Sequence, residues 1–152
     1  YYIRGEKDKI ILNVDINIIY NVAEEIEKRE LKNCVYHGLM NHAQIAELLN
    51  EMDLHIFPSR SEGFPKVTLE TAAMGVPSVV YGDYGASEWI TTGKNGFVVD
   101  TIDEIEAVVK NLQQHPEQLD SLAKEAIKLA KSFDWKVLVK DWEKVIETVY
   151  NK

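Results

Sequence analysis

Cysteine is nearly absent. Cys34 is the only one in 152 residues, so no internal disulfide can form. No Cys/His pattern has zinc-ligand spacing either. Long apolar runs are lacking: no stretch of about 18 hydrophobic residues reads as a membrane span, and no basic-then-apolar signal peptide is read. Excess positive charge is lacking too, since 17 Lys and Arg stand against 25 Asp and Glu, a net charge of −8. Nucleic-acid affinity comes mainly from Lys and Arg on phosphates, so that class of partner is excluded. Glycine and proline are scattered, with no Gly/Ser linker, repeat or low-complexity tract. Hydrophobic content is 45%, ordinary for a globular chain. A chain this long buries about two-thirds of its unfolded surface without a disulfide or metal staple. The expectation is one domain over residues 1–152 in a reducing, cytoplasmic compartment.

Strand-like and helix-like patterns alternate. Tyr1-Tyr2-Ile3 reads as strand, and Ile16, Ile19, Tyr20, Ala23 and Ile26 share one helical face. Cys34-Val35-Tyr36 is a short strand that stops at Gly38. Asn41 with Gln44 forms a capping box before Ile45, Leu48, Leu49 and Met52. Leu54 to Phe57 is a strand ended by Pro58, Val67 to Met74 a helix, and Gly75 its C′ residue. Pro77 to Tyr81 and Phe97 to Val99 are strands. Thr101 with Glu104 reads as a second capping box, and two amphipathic helices follow, one through Leu119 to Ala130 and one through Leu138 to Val149. Such alternation predicts an α/β fold, a Rossmann-like parallel sheet with helices on both faces. Ligands of such sheets sit beyond the C-terminal strand ends, where loops enter helix N-termini.

The loop Pro58-Ser59-Arg60-Ser61-Glu62-Gly63-Phe64-Pro65-Lys66 has the composition of such a site. Gly63 permits conformations closed to other residues and close ligand approach. The following helix start offers unpaired N–H groups and partial positive charge, suited to a diphosphate. Arg60 and Lys66 offer cationic donors. Glu62 and Glu70 suit sugar and ribose hydroxyls, although an acidic residue near a helix start can equally serve the helix dipole alone.

Six segments in order carry a family resemblance: Phe57-Pro58-Ser59, Glu62-Gly63-Phe64, Leu69-Glu70, Met74-Gly75-Val76-Pro77, Gly85-Ala86-Ser87-Glu88 and Asn95-Gly96-Phe97-Val98-Val99. Together with Val35-Tyr36-His37-Gly38 upstream and Ser132-Phe133-Asp134-Trp135 downstream, the chain resembles the C-terminal, nucleotide-sugar-binding half of group 1 (family 4) retaining glycosyltransferases of GT-B fold. The resemblance spans roughly residues 33 to 136. It implies that Glu62 is the catalytic-site carboxylate and accepts from donor-sugar hydroxyls. Donor binding would run through Glu62, Gly63, Phe64, Pro65, Lys66 and Val67, with backbone N–H groups on the diphosphate. Glu70 would hold the ribose, and the backbone at Gly38, Leu39 and Met40 the base. It further implies retention of configuration, no metal or other cofactor, and a hexosyltransferase parent serving cell-envelope polysaccharide synthesis. Any membrane contact would be made at the inner face through an N-terminal half.

Departures from the family pattern matter. The Arg/Lys pair that clamps the diphosphate would precede Tyr1, and the N-terminal acceptor domain is not in this sequence. The isolated piece is therefore expected to bind nucleotide sugar weakly and to be inactive. Thr71-Ala72-Ala73-Met74 replaces the usual Ala-Met-Ala run after Glu70. Two other functions stay open: a nucleotide-sugar 2-epimerase of the same fold, and a non-catalytic nucleotide-binding or interaction domain.

Remaining residues read as structural. The nearest approach to a metal-holding Asp-x-Asp is Asp15-Ile16-Asn17, on a helical pattern. His37 and His42 lack a third ligand, and His55 reads as a packed strand residue. Glu88 is expected to order its loop, and Trp135 and Trp142 to pack in a core or between domains. Ser59 and Ser61 have no triad partners.

Overall fold

The computed structural model describes residues 2–3, 10–12 and 22–150. The strands are β1 (Tyr2–Ile3), β2 (Ile10–Leu12), β3 (Cys34–Tyr36), β4 (Leu54–Phe57), β5 (Ser78–Tyr81) and β6 (Gly96–Val99). The helices are α1 (Val22–Lys28), α2 (His42–Leu49), α3 (Lys66–Ala73), α4 (Ile102–Gln114), α5 (Glu117–Ser132) and α6 (Trp135–Tyr150). Among the described residues the sheet has six strands in the order β3-β2-β1-β4-β5-β6. Strands β4, β5 and β6 are parallel, as are β2 and β3, and helices flank them. This is the expected α/β architecture. The helical stretch read from Ile16 reaches the described residues only as α1, and Asp15 to Asn17 lie outside them.

One strand departs from the alternation. β1 pairs antiparallel with both β2 and β4. Reversing twice restores direction, so β2 and β4 run the same way. All strands except β1 therefore end at one edge of the sheet.

Packing follows the two-residue period of the strands. Val79 and Tyr81 join Leu54, Phe97, Val99, Leu112 and Leu122 in the main core, closed by Ile105, Val108 and Val109 of α4. Val80 points into a separate cluster with Ala86, Ile90, Phe57 and Leu129. A third cluster joins Leu48, Leu49 and Met52 to Val76, with Met40 and Ile45 against it. Because β5 is buried on both faces, its run Val79-Val80-Tyr81 is continuously apolar.

Helix ends follow local chemistry. Asn41 and Gln44 make the reciprocal capping box at α2. At α4, Thr101 Oγ1 accepts from Glu104 N at 3.3 Å, but the Glu104 carboxylate accepts from Asp100 N at 2.8 Å. The second box is thus displaced by one residue, and it ties β6 to α4. α3 ends in a Schellman motif: Gly75 N donates to Ala72 O (3.0 Å), Val76 N donates to Thr71 O (2.9 Å), and Gly75 has φ +79°. Asp134 caps the first turn of α6 by accepting from Lys136 N at 2.8 Å.

α6 divides an expectation: core packing of its tryptophans fails, and packing between domains is the alternative left. None of its residues is buried, and Trp135 and Trp142 are 70% and 61% exposed. Neither tryptophan is a core residue of this chain.

Candidate functional site

Among the described residues, the shared C-terminal edge of the sheet carries four connections. They are 37–41 after β3, 58–65 after β4, 82–85 after β5 and 100–101 after β6. The candidate residues lie on the first two and on the start of α3, which follows the second. Two strands separate β3 from β4, so their ends stand about 14 Å apart by strand spacing.

Residues 62–70 form one continuous loop-to-helix unit. Glu62 is half-buried, Gly63 and Phe64 are exposed, Pro65 is buried, and Lys66 and Glu70 are exposed with Val67 half-buried between them. Pro65 is the N-cap residue of α3, and no side chain caps the helix. α2 and α4 both receive a side-chain cap, so the start of α3 keeps its N–H dipoles unmasked by side chains. Lys66 and Glu70 share a helix face at i,i+4. Gly63 does not take a left-handed φ, so conformational freedom is not why glycine stands there. A Cβ at Gly63 would meet nothing within 4 Å, leaving its backbone open to close approach.

Beneath the unit runs a buried polar chain. Thr68 Oγ1 donates to Pro65 O at 2.8 Å and Thr71 Oγ1 donates to Thr68 O at 3.1 Å. Thr71 Oγ1 lies 3.0 Å from Ser78 Oγ, which lies 2.9 Å from His55 Nδ1. Each hydroxyl has one proton and Thr71 spends its own on a carbonyl, so Ser78 donates to Thr71 and His55 Nδ1–H donates to Ser78. Burial holds the His55 pKa well below the usual histidine range, so the ring is neutral. His55 is thus the packed strand histidine that the sequence predicts, and it anchors α3 to the sheet.

Arg60 is not a free cationic donor. Its guanidinium donates to Asp83 Oδ2 at 2.8 Å and to Asp100 O at 3.1 Å, and it stacks 3.8 Å from the Tyr81 ring centroid. Arg60 therefore staples the ends of β4, β5 and β6. On the other side of Glu62, the Phe64 ring lies 5.0 Å from Trp89 and 5.6 Å from Phe133. Tyr84 stacks on Trp89 at 6.2 Å. Tyr84 Oη and Trp89 Nε1 are buried without a hydrogen-bond partner among the described residues. Burial first, then the charges of Glu62 and Asp83, push the Tyr84 phenol up to about 12. Sequence reasoning missed Asp83, Tyr84 and Trp89 as neighbours of this loop, because only the β4–β5 pairing brings positions so far apart together.

The loop after β3 divides its candidates. Gly38 takes φ +64°, Leu39 is 78% exposed, and Met40 turns into the cluster around Leu48 and Val76. Glu88 lies over Gly85, its Oε1 3.6 Å from where a Cβ would stand, and Gly85 has φ +79°. Among the described residues no group of three or more His, Cys, Asp or Glu could hold a metal ion. No helix of the described residues is long and apolar enough to cross a membrane.

Residues 20–131 match the family described as glycosyl transferases group 1. This chain belongs to that family. It is 25% identical over 123 residues to the GtfA subunit of the UDP-N-acetylglucosamine–peptide N-acetylglucosaminyltransferase of Streptococcus pneumoniae, covering 75% of this chain and 24% of that protein. In fold it is similar to the sucrose-phosphate synthase of Thermosynechococcus elongatus, with TM-score 0.75, 15% identity, and coverage of 93% of this chain and 38% of the other. It is also similar to Anabaena HepE solved with UDP-glucose, with TM-score 0.71, 21% identity, and coverage of 95% and 41%. The structural neighbours are GT-B glycosyltransferases, and this chain has the Rossmann-like fold of part of each. The chain spans about a quarter of the pneumococcal relative's length.

Proposed function

We propose that this glycosyltransferase chain is the nucleotide-sugar-binding half of a retaining, metal-independent hexosyltransferase. One observation carries the reading. Glu62 and Glu70 flank a helix start that no side chain caps, at the sheet edge where the strand ends converge. The N–H groups of Lys66 and Val67 and the Lys66 ammonium face the diphosphate in this reading, Glu62 accepts from sugar hydroxyls, and Glu70 accepts from the ribose. Gly63, Phe64 and Pro65 shape the approach, and Gly38, Leu39 and Met40 contribute backbone toward the base.

Transfer breaks the bond between the anomeric carbon and the diphosphate oxygen, and the diphosphate leaves with the electron pair. The acceptor hydroxyl attacks from the same face and its proton passes to the departing phosphate oxygen. Negative charge grows on the diphosphate, where fixed N–H dipoles and Lys66 stabilise it more than in the ground state. Tested by themselves, residues 1–152 should bind donor weakly and turn over little. The acceptor half would also carry any contact with the inner membrane face, in a cytoplasmic enzyme of cell-envelope polysaccharide synthesis.

The names of the pneumococcal and Anabaena relatives contain UDP sugars, which makes uridine diphosphates the first probes. Calorimetry or ligand-observed NMR against UDP, GDP, ADP and their hexose conjugates, without metal, tests the reading. Selective binding of one nucleotide class supports it. No binding by any class at millimolar ligand overturns it.

A further inference from the structure

Two contacts bracket Glu62. Two residues before it, Arg60 donates to Asp83, and two residues after it, the Phe64 ring packs at a tilt against Trp89. Asp83 and Trp89 both belong to the segment after β5, so the loop is pinned to one neighbour on either side of the carboxylate. The Arg60 guanidinium is held in this arrangement by the Asp83 carboxylate, the Asp100 carbonyl and the Tyr81 ring. Left free, a guanidinium two residues from Glu62 would compete for it as a bidentate partner and fill the acceptor sites a sugar needs. Held where it is, Arg60 both anchors the loop and leaves Glu62 available.

We propose that Arg60, through its bond to Asp83, is a positioning residue for Glu62 and sets how well the site distinguishes a nucleotide sugar from the bare nucleotide. The inference rests on Glu62 being the sugar-binding carboxylate of the proposed function. The Tyr84 phenol, lifted in part by the charges of both Glu62 and Asp83, agrees with Glu62 lying over this same segment. The Arg60–Asp83 pair is about half exposed, and exposed pairs contribute little to stability, so removing it should leave the fold intact.

The test measures Kd for UDP and for UDP-glucose on this chain as wild type, Arg60→Met, Arg60→Lys, Asp83→Asn and Glu62→Gln, with thermal unfolding of each. Arg60→Met keeps an unbranched side chain and removes both hydrogen bonds together with the guanidinium contact on Tyr81. It should weaken UDP-glucose by about tenfold and leave UDP within about twofold, with the melting temperature within about 3 °C. Asp83→Asn should shift the ratio of the two affinities in the same direction, and Arg60→Lys should recover part of the loss. A merely structural role would lower both affinities together or neither. If wild type gains from the sugar and Glu62→Gln abolishes the gain while Arg60→Met retains it, the positioning role alone is overturned. If wild type gains nothing from the sugar, the assignment of Glu62 fails and this inference with it.

Discussion

His55 Nδ1 and Ser78 Oγ lie 2.9 Å apart in a buried pair that joins β4 to β5, and Ser78 continues the chain into α3 through Thr71. The ring is held neutral by burial. The unfolded state therefore binds the extra proton first as pH falls, and stability rises with pH. The His55 contribution is complete above the ordinary histidine pKa of about 6.5 and is lost below it, at up to about 1.4 kcal/mol per pH unit, until the folded pKa is reached. Urea unfolding between about pH 8 and about pH 5, a range that spans histidine titration, checks this against His55→Gln. An equal pH slope in the variant would remove His55 as the cause.

Thr71→Val deletes the acceptor of Ser78 and the donor to Thr68 O at once. Leaving the buried Ser78 hydroxyl without an acceptor should destabilise the fold by about 1–3 kcal/mol. Adding Ser78→Ala removes that hydroxyl but also takes away the acceptor of His55 Nδ1–H, so the double variant should lose less than the sum of the two single losses without recovering wild-type stability. A double-mutant cycle by denaturant unfolding reads the coupling.

Glycines 96 and 63 should respond oppositely to alanine. A Cβ on Gly96 would lie 2.7 Å from Ser78 O and 3.0 Å from Ile90 Cγ2, inside the β5–β6 pairing, whereas one on Gly63 meets open space. Gly96→Ala is expected to destabilise by more than about 2 kcal/mol. Gly63→Ala should leave stability within about 0.5 kcal/mol, and on the proposed function it should still weaken nucleotide-sugar binding.

Core and terminal helices should separate clearly in unfolding experiments. Leu122 is fully buried beneath the sheet, so Leu122→Ala should cost about 2–5 kcal/mol. Trp142→Gln removes a larger side chain from an exposed face of α6 and should change stability by less than about 0.5 kcal/mol.

Glu70→Gln should weaken UDP and UDP-glucose alike, whereas Glu62→Gln should weaken only the sugar conjugate. Loss of one charge-assisted hydrogen bond is worth about 1.5–3 kcal/mol, roughly ten- to a hundredfold in Kd. Calorimetry on both variants with both ligands decides it; equal losses everywhere would refute the division of roles.

Local chemistry by itself determined much of this protein. The apolar period placed β3 to β6 and α2 to α5, the Asn41–Gln44 box started α2, and Gly75 closed α3 in the left-handed conformation its Schellman motif requires. The run of motifs from Phe57 to Val99 sufficed for the family, because the loop after β4 and the helix it enters are contiguous in the chain. Tertiary structure decided what depends on partners remote in sequence. Nothing local marks β1 as antiparallel, since strand direction is set by which edges remain to be paired. Arg60 reads as a ligand donor until β4–β5 pairing sets it against Asp83 and Tyr81, and Gly63 reads as a conformational requirement until its φ is known. The amphipathic pattern of α6 likewise specifies an apolar face but not its cover, because periodicity encodes what a helix can bury and only the assembled fold supplies the surface that buries it.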